Sequence, residues 1–163
     1  MLENIKTRRS CRSYLEKEVS EELINEVLEC GLLAPSAMNK QDVEFCVITN
    51  KELLNEMAVL AGREFCYKAP CLIVVYGTGE TPFDAFDGSC ALAQMYLAAH
   101  ELGLGACWIH QVKDFVDDSK FEAIIEKLAL KGKKVVGSLA LGYKASEPNP
   151  RMLKKICRVN YVK

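Results

Sequence analysis

The chain has 163 residues, of which 50% are apolar and 26% charged, a composition typical of one compact domain over residues 1–163. Its 21 lysine and arginine residues are balanced by 22 aspartate and glutamate residues, which argues against a nucleic-acid partner, because nucleic-acid surfaces need a basic excess. No apolar segment approaches the ~20 residues that span a bilayer, and the charged N-terminus lacks the apolar core of a signal peptide, so we expect a cytoplasmic protein without a membrane partner.

The first predicted element is a short helix with apolar residues at Leu2 and Ile5, and an arginine-rich segment follows at residues 8–14. This segment reads Arg-Arg-Ser-Cys-Arg-Ser-Tyr and places three guanidinium groups within seven residues. Arginine stays charged at any working pH and presents a planar fork of donors that matches phosphate oxygens. The alternative is that Arg8 and Arg9 only offset the negative end of the helix dipole.

A second helix, a loop, a strand and a third helix are predicted next. Ser20 is a hydroxyl cap followed by two acidic residues, which is typical of the start of a helix. Pro35 forces the chain out of helical geometry, so that residues 35–41 form a loop of small and amide side chains. The segment from Val43 to Thr49 is predicted to be a strand, and Asn50 caps the third helix.

A continuous apolar run from Cys71 to Tyr76 predicts a strand that is covered on both faces. The sequence Gly-Thr-Gly at residues 77–79 follows it and partly matches a dinucleotide-binding turn. The third glycine of that motif is absent, and Pro82 stands where its helix would begin. We therefore interpret these glycines as turn residues.

The longest predicted helix runs from Phe83 to Leu102 and is apolar on nearly every side between Cys90 and Ala99. A helix that is apolar all round must be covered all round. Because one sheet can cover only one side, we predict that a second copy of the chain covers the other. The tail, residues 144–163, has little periodicity and is predicted to wrap this partner subunit.

The remaining predicted elements are two strands, Ala106 to Ile109 and Val135 to Leu141, with a helix between them. That helix places its apolar residues on one face, at Phe121, Ile124, Ile125 and Leu128. Helices and strands do not alternate regularly along the chain. We therefore assign the α+β class rather than a doubly wound sheet.

Eight cysteines, at positions 11, 30, 46, 66, 71, 90, 107 and 157, lie mostly inside apolar runs. Buried thiols in a reducing compartment explain this pattern best. The nearest pair is Cys66 and Cys71, and no Cys-x-x-Cys motif occurs in the sequence. A cysteine-based metal or redox protein is the less favoured alternative, and we predict no metal site.

Four segments in this order resemble the nitroreductase family of FMN-dependent oxidoreductases. They are Arg8-Arg9-Ser10-x-Arg12-x-Tyr14, Ala34-Pro35-Ser36-Ala37-x-Asn39-x-Gln41, Gly103-Leu104-Gly105-x-Cys107-Trp108-Ile109, and Leu141-Gly142-Tyr143 with Pro148 and Arg151. The resemblance covers nearly the whole chain. It implies a mixed, largely antiparallel sheet flanked by helices, and a homodimer with FMN at the subunit interface.

The resemblance also implies a flavin site that is built from both chains. One set of residues would hold the phosphate, ribityl chain and pyrimidine edge of the flavin: Arg8, Arg9, Ser10, Arg12 and, for the phosphate, Arg151. A second set would reach the same flavin from the partner subunit: Pro35, Ser36, Ala37, Asn39 and Gln41. Backbone at Gly105 and Ala106 would pass close to the ring. Among these residues Arg12 is the candidate cation for stabilising the reduced, anionic flavin.

The implied activity is a ping-pong cycle in which NADH or NADPH reduces the flavin and a small acceptor, such as a nitroaromatic or a quinone, reoxidises it. Because the flavin carries the chemistry, we predict no catalytic side chain. We interpret His110 as structural and His100 as a core residue. The alternative function is a flavin-binding or storage protein without NAD(P)H turnover.

Overall fold

A four-stranded antiparallel sheet forms the centre of the computed structural model, which describes residues 1–150 and 160–162. The strands are β1 (Val43–Ile48), β2 (Cys71–Gly77), β3 (Gly105–Ile109) and β4 (Lys134–Gly142), in the order β1-β2-β4-β3. The predicted α+β class with a largely antiparallel sheet is confirmed. Arg151 and most of the tail that is predicted to wrap a partner lie outside the described residues.

Helices surround this sheet within the described residues. They are α1 (Leu2–Thr7), α2 (Glu21–Leu32), α3 (Lys51–Leu60), α4 (Asp84–Glu101), α5 (Val112–Phe115) and α6 (Glu122–Lys127). The short helix α5 is an element that the sequence pattern did not predict. The caps are as predicted, since Ser20 Oγ accepts a hydrogen bond from Leu23 N at 3.4 Å and Asn50 Oδ1 accepts one from Leu53 N at 2.7 Å.

Apolar side chains pack against both faces of the sheet. Strand β2 lies between the two layers, and every side chain from Cys71 to Val75 is 0% exposed, which confirms the prediction of a strand covered on both faces. One layer includes Met57 of α3 and Phe121, and the other includes Val27 of α2 and Met95 of α4. The sheet is therefore the buried centre of the described structure.

The arginine-rich segment is attached to the sheet beside β3. Ser10 and Ala106 form a parallel bridge, and Cys11 N donates a hydrogen bond to Ala106 O at 2.8 Å. Gly105 permits this close approach, because a Cβ atom at that position would lie 2.7 Å from Cys11 Sγ. The pairing holds the preceding arginines at the end of β3.

Helix α4 packs with one side on the sheet and on α2. Leu92, Met95 and Ala99 on this side are 0% exposed. On the other side Phe86 is 69% exposed, and Ala93 is exposed as well. None of the helices described in the structure has the length and apolar character needed to cross a membrane.

Candidate functional site

The first cleft lies where the arginine-rich segment meets β3 and the C-terminal half of α4. It is lined by residues of α1, the arginine-rich segment, α4, the start of β3 with the residue before it, and the segment after β4: Thr7, Arg8, Arg9, Tyr96, His100, Leu104, Gly105, Ala106, Lys144, Glu147 and Pro148. Several cationic side chains therefore line one depression, together with the small residues Gly105 and Ala106.

Arg8 is held over an aromatic ring in this cleft. Its guanidinium carbon lies 4.1 Å from the centroid of the Tyr96 ring, a cation–π contact that fixes the plane of the guanidinium. The Nη1 atom of Arg8 is buried and has no hydrogen-bond partner among the described residues. A buried donor without an acceptor is costly, so the guanidinium is suited to an anionic ligand in the cleft.

Ser10 lies behind Arg8 in a hydrogen bond with the same tyrosine. Tyr96 Oη donates to Ser10 Oγ at 2.7 Å. Burial of the Tyr96 hydroxyl raises its pKa above the ordinary value, so the phenol stays protonated and keeps this bond. The Ser10 hydroxyl keeps its own proton for a further acceptor.

Arg12 is directed toward a different neighbour. Its Nε donates to Tyr67 Oη at 3.2 Å, and its guanidinium carbon lies 5.8 Å from the Tyr67 ring centroid. The hydrogen bond to Tyr67 raises the pKa of Arg12, so the side chain is cationic throughout the physiological range. Tyr67 has a left-handed backbone with φ of 57°, which is uncommon for a bulky residue and often marks a functional site.

The second cleft lies at the other half of α4. It is lined by Gly31, Leu32, Ala34, Pro35, Ser36, Gln41, Val43, Asp87 and Ala91. The predicted loop forms a single 3-10 turn at Ala37–Asn39. Left-handed backbone occurs at Met38, Asn39 and Gln41, with φ of 55°, 53° and 56°, and such strain persists only where neighbouring contacts over-determine it.

Asp87 is one of those contacts. This residue of α4 is 7% exposed, and its Oδ1 accepts a hydrogen bond from Ala37 N at 3.0 Å. Within the loop, Ser36 Oγ accepts a hydrogen bond from Gln41 N at 2.9 Å. A buried carboxylate thus ties the loop to α4, and the loop's own hydrogen bond holds its far end.

The two clefts lie on opposite sides of α4. Asp87 and Tyr96 are nine positions apart in this helix, which corresponds to ~2.5 turns and ~13 Å along the axis. Half-integral turns place two residues on opposite faces. The body of α4 therefore separates the arginine cleft from the loop of the same chain.

The structure distributes the site residues predicted from the sequence over these two places. Arg8, Arg9, Gly105 and Ala106 line the first cleft, with Ser10 directly behind it; Pro35, Ser36 and Gln41 line the second cleft, and Ala37 and Asn39 belong to its loop. Arg12 points to Tyr67. Arg151 lies outside the described residues.

Three further residues of the clefts were missed by the sequence reasoning: Tyr96, Asp87 and Lys144. Tyr96 lies in an apolar helix, a pattern that is typical of a core residue. Asp87 lies in the first turn of a helix, where an acidic residue usually compensates the helix dipole. Nothing in the local pattern around Lys144 identifies it, because it enters the cleft only through the pairing of β4 with β3.

The histidines and cysteines add no second centre within the described residues. His110 is exposed, and His100 is half-buried with Nε2 at 3.0 Å from Thr7 Oγ1. The prediction that His100 is a core residue is wrong, because α4 presents it to the first cleft. The seven described cysteines are free, and no group of three or more metal-ligating side chains occurs in the described part of the chain. Burial raises the pKa of the Cys107 thiol.

Comparison with known proteins identifies the fold and the family. The sequence model of the Nitroreductase family matches residues 5–64 and 56–143. This chain belongs to the nitroreductase family. A protein of Methanothermobacter thermautotrophicus described as a putative NADH dehydrogenase/NAD(P)H nitroreductase is 35% identical over 162 residues, which cover 94% of this chain and 82% of that protein.

Solved nitroreductase structures superpose closely on this chain. A Bacteroides fragilis nitroreductase with bound FMN has a TM-score of 0.89 and 31% identity, and the match covers 98% of each chain. A Desulfitobacterium hafniense nitroreductase with bound FMN has a TM-score of 0.87 and 27% identity, covering 99% of this chain and 97% of that one. The predictions of the family, the fold and a nitroreductase-like enzyme are confirmed.

Proposed function

We propose that this protein is an FMN-dependent oxidoreductase that transfers electrons from NADH or NADPH to a small acceptor such as a nitroaromatic or a quinone. Two solved relatives contain FMN, and a Bacillus subtilis relative, 25% identical over 69% of this chain, is named FMN reductase [NAD(P)H]. When bound, FMN supplies the redox chemistry of a ping-pong cycle, taking electrons from the nicotinamide and passing them to the acceptor.

The observation that carries this proposal is the buried Nη1 atom of Arg8, which has no partner among the described residues. It lies in a cleft that Arg9 also lines, so a phosphate there would receive charge-assisted hydrogen bonds. Gly105 and Ala106 line the same cleft, and we propose that the flavin ring passes close to their backbone. These residues fit FMN.

We propose that Arg12 serves the pyrimidine end of the flavin. Tyr67 holds its guanidinium through the Nε hydrogen bond, which leaves the two terminal nitrogens for a ligand. A fixed cation at that end would stabilise negative charge on the reduced ring. We assign no side chain of this chain a role as catalytic acid or base.

The opposite placement of the two clefts supports a homodimer. Within one chain α4 separates the arginine cleft from the loop at residues 35–41, so the loop of a second copy is the one that can complete the cleft. That loop would present Pro35, Ser36, Ala37, Asn39 and Gln41 to the flavin, and the amide side chains offer both donors and acceptors to its pyrimidine edge.

The exposed side of α4 supports the same arrangement. Phe86, Cys90, Ala93 and Leu97 follow one another at spacings of four, three and four residues on that side. This is the spacing of the seam between two packed helices. The stripe lies between the two clefts, so packing of a second copy along it would bring the two half-sites together. We also propose that the tail, with Arg151, wraps this partner.

The proposal is tested on the purified protein. We expect a flavin absorption spectrum, FMN as the released cofactor, and bleaching of the yellow colour when NADH or NADPH is added without oxygen. A yellow protein that does not bleach with either nicotinamide would support the alternative of a flavin-storage protein. A colourless protein that takes up no FMN on titration would contradict the proposal.

A further inference from the structure

Lys144 is the cation of the first cleft whose position is set most directly by the sheet. It follows β4 and forms an isolated bridge with Tyr14. Its aliphatic stem crosses Gly105, where a Cβ atom would lie 2.7 Å from Lys144 Cγ. The side chain is only 19% exposed. A lysine this constrained delivers its ammonium group to one place, which is the cleft that Arg8 and Arg9 also line.

Glu147 lines the same cleft and forms an ion pair with Lys144. Its Oε1 lies 2.6 Å from Lys144 Nζ, and its side chain is 78% exposed. Glu147 itself belongs to neither a helix nor a strand. Exposed ion pairs contribute little to stability, so Glu147 is a weak partner for a well-positioned lysine.

We propose that Lys144 is a phosphate-binding residue of this cleft and that Glu147 is the counter-ion which the phosphate displaces. The inference rests on the proposed function, since the phosphate is that of FMN. A phosphate dianion offers more charge and more acceptors than one exposed carboxylate. Two anions cannot share one ammonium group closely without repulsion, so binding of the phosphate moves Glu147 away from Nζ.

The proposal is tested by comparing FMN with riboflavin, which has the same ring and no phosphate. The protein is loaded with each flavin in turn by exchange against an excess, and release on dilution is followed by flavin fluorescence. We expect Lys144→Met to weaken FMN about tenfold or more and to leave riboflavin unchanged. Lys144→Arg keeps the charge and is expected to retain most of the FMN affinity.

Glu147→Gln tests the counter-ion. It is expected to raise FMN affinity about threefold at low salt, which is the size of effect that an exposed ion pair has. In the Lys144→Met background it is expected to have no effect on FMN affinity. The matched control is Lys131 with Glu126, an exposed ion pair at 2.7 Å that involves α6. Lys131→Met and Glu126→Gln are expected to leave the affinities for FMN and for riboflavin unchanged.

Two results would overturn the proposal. An unchanged FMN affinity in Lys144→Met would remove the lysine from the phosphate site. Equal weakening of FMN and riboflavin would show that Lys144 only supports the fold around Gly105. Failure of the native protein to bind either flavin would instead overturn the proposed function, and the inference with it.

Discussion

The two clefts beside α4 are built in different ways. The arginine cleft depends on main-chain pairing, because Ser10 bridges Ala106 and Cys11 N donates to Ala106 O at 2.8 Å. The loop of the second cleft depends on a side chain, since Asp87 Oδ1 accepts the hydrogen bond from Ala37 N at 3.0 Å. The arginine cleft is thus attached to the sheet, and the loop of the second cleft is tied to a helix.

This difference predicts how each half-site responds to substitution. Main-chain pairing does not depend on side-chain identity, so changes in the arginine cleft should remove ligand contacts while the backbone stays in place. A loop with left-handed residues at Met38, Asn39 and Gln41 relaxes when its anchor is lost. Changes around the loop should therefore alter its shape first and ligand binding as a consequence.

The largest effect is expected from separating the two half-sites. Ala93 is exposed at the centre of the apolar stripe on α4, so Ala93→Glu should leave the isolated chain folded. In a dimer that packs through this stripe, the substitution buries a carboxylate without a partner at a cost of about 3–5 kcal/mol. We expect a monomer by sedimentation at micromolar concentration and FMN affinity lowered more than about a hundredfold.

The matched control for this experiment is Ala123→Glu. Ala123 is an exposed alanine of α6, away from the stripe, and the same charge there should change neither sedimentation nor FMN affinity. If the Ala93→Glu protein is still a dimer and still binds FMN tightly, the apolar stripe of α4 is not the dimer interface.

The next largest effect is expected within the arginine cleft. Arg8→Ala removes charge-assisted hydrogen bonds worth roughly 1.5–3 kcal/mol, which corresponds to a loss of FMN affinity of about ten- to a hundredfold. Arg8→Lys retains the positive charge but loses the paired donors of the guanidinium, so its FMN affinity should lie between those of the native protein and Arg8→Ala. Fluorescence titration with FMN measures both, and equal affinities for all three proteins would reject Arg8 as a phosphate ligand.

A smaller effect is expected from the anchor of the loop. Asp87→Ala removes the acceptor of the Ala37 N–H and should weaken FMN about tenfold, by the cost of an unsatisfied donor. Asp87→Asn keeps an acceptor oxygen and should stay within about threefold of the native protein. Both variants should remain dimeric, so sedimentation accompanies the titration. If Ala and Asn weaken FMN equally, the negative charge rather than the hydrogen bond matters to the loop.

The smallest effect is expected from the tyrosine behind the arginine cleft. Tyr96→Phe keeps the ring under Arg8 and removes the hydrogen bond from Tyr96 Oη to Ser10 Oγ. The free energy of unfolding, measured in urea, should fall by about 1 kcal/mol. FMN affinity should fall by about threefold at most. Tyr161→Phe is the control, because Tyr161 is 79% exposed. If Tyr96→Phe lowered FMN affinity as much as Arg8→Ala does, Ser10 would account for most of the binding energy of the cleft.

Much of the fold could be predicted from the sequence because its signals are local. Ser20 and Asn50 cap helices through bonds that span three residues, and the buried run of β2 is visible as uninterrupted apolar residues. The single-turn helix α5 was missed, since four residues (Val112–Phe115) are too short to show a helical period. The pairing order β1-β2-β4-β3 depends on contacts between distant segments and has no local signal.

The candidate site could be predicted only where a motif carries it. Arg8 and Arg9 were predicted as ligands from their donor chemistry together with the family motif, and the loop at residues 35–41 from Pro35 and its small and amide side chains. Asp87 and Lys144 belong to no motif, because each acquires its role from a neighbour far away in the chain: Ala37 for Asp87, and Gly105 for Lys144.

By itself the sequence determined the class of the fold and the family, because propensity, caps and ordered motifs are properties of short segments. Only the tertiary structure decided that the arginine-rich segment and the loop at residues 35–41 lie at two clefts on opposite faces of α4. Helix phase places Asp87 and Tyr96 half a turn out of register, and sheet pairing places Ser10 beside Ala106. The spacing along the chain sets the helix phase, but it does not contain which distant segments lie against each face, such as Ala37 at Asp87 and Ser10 at Tyr96.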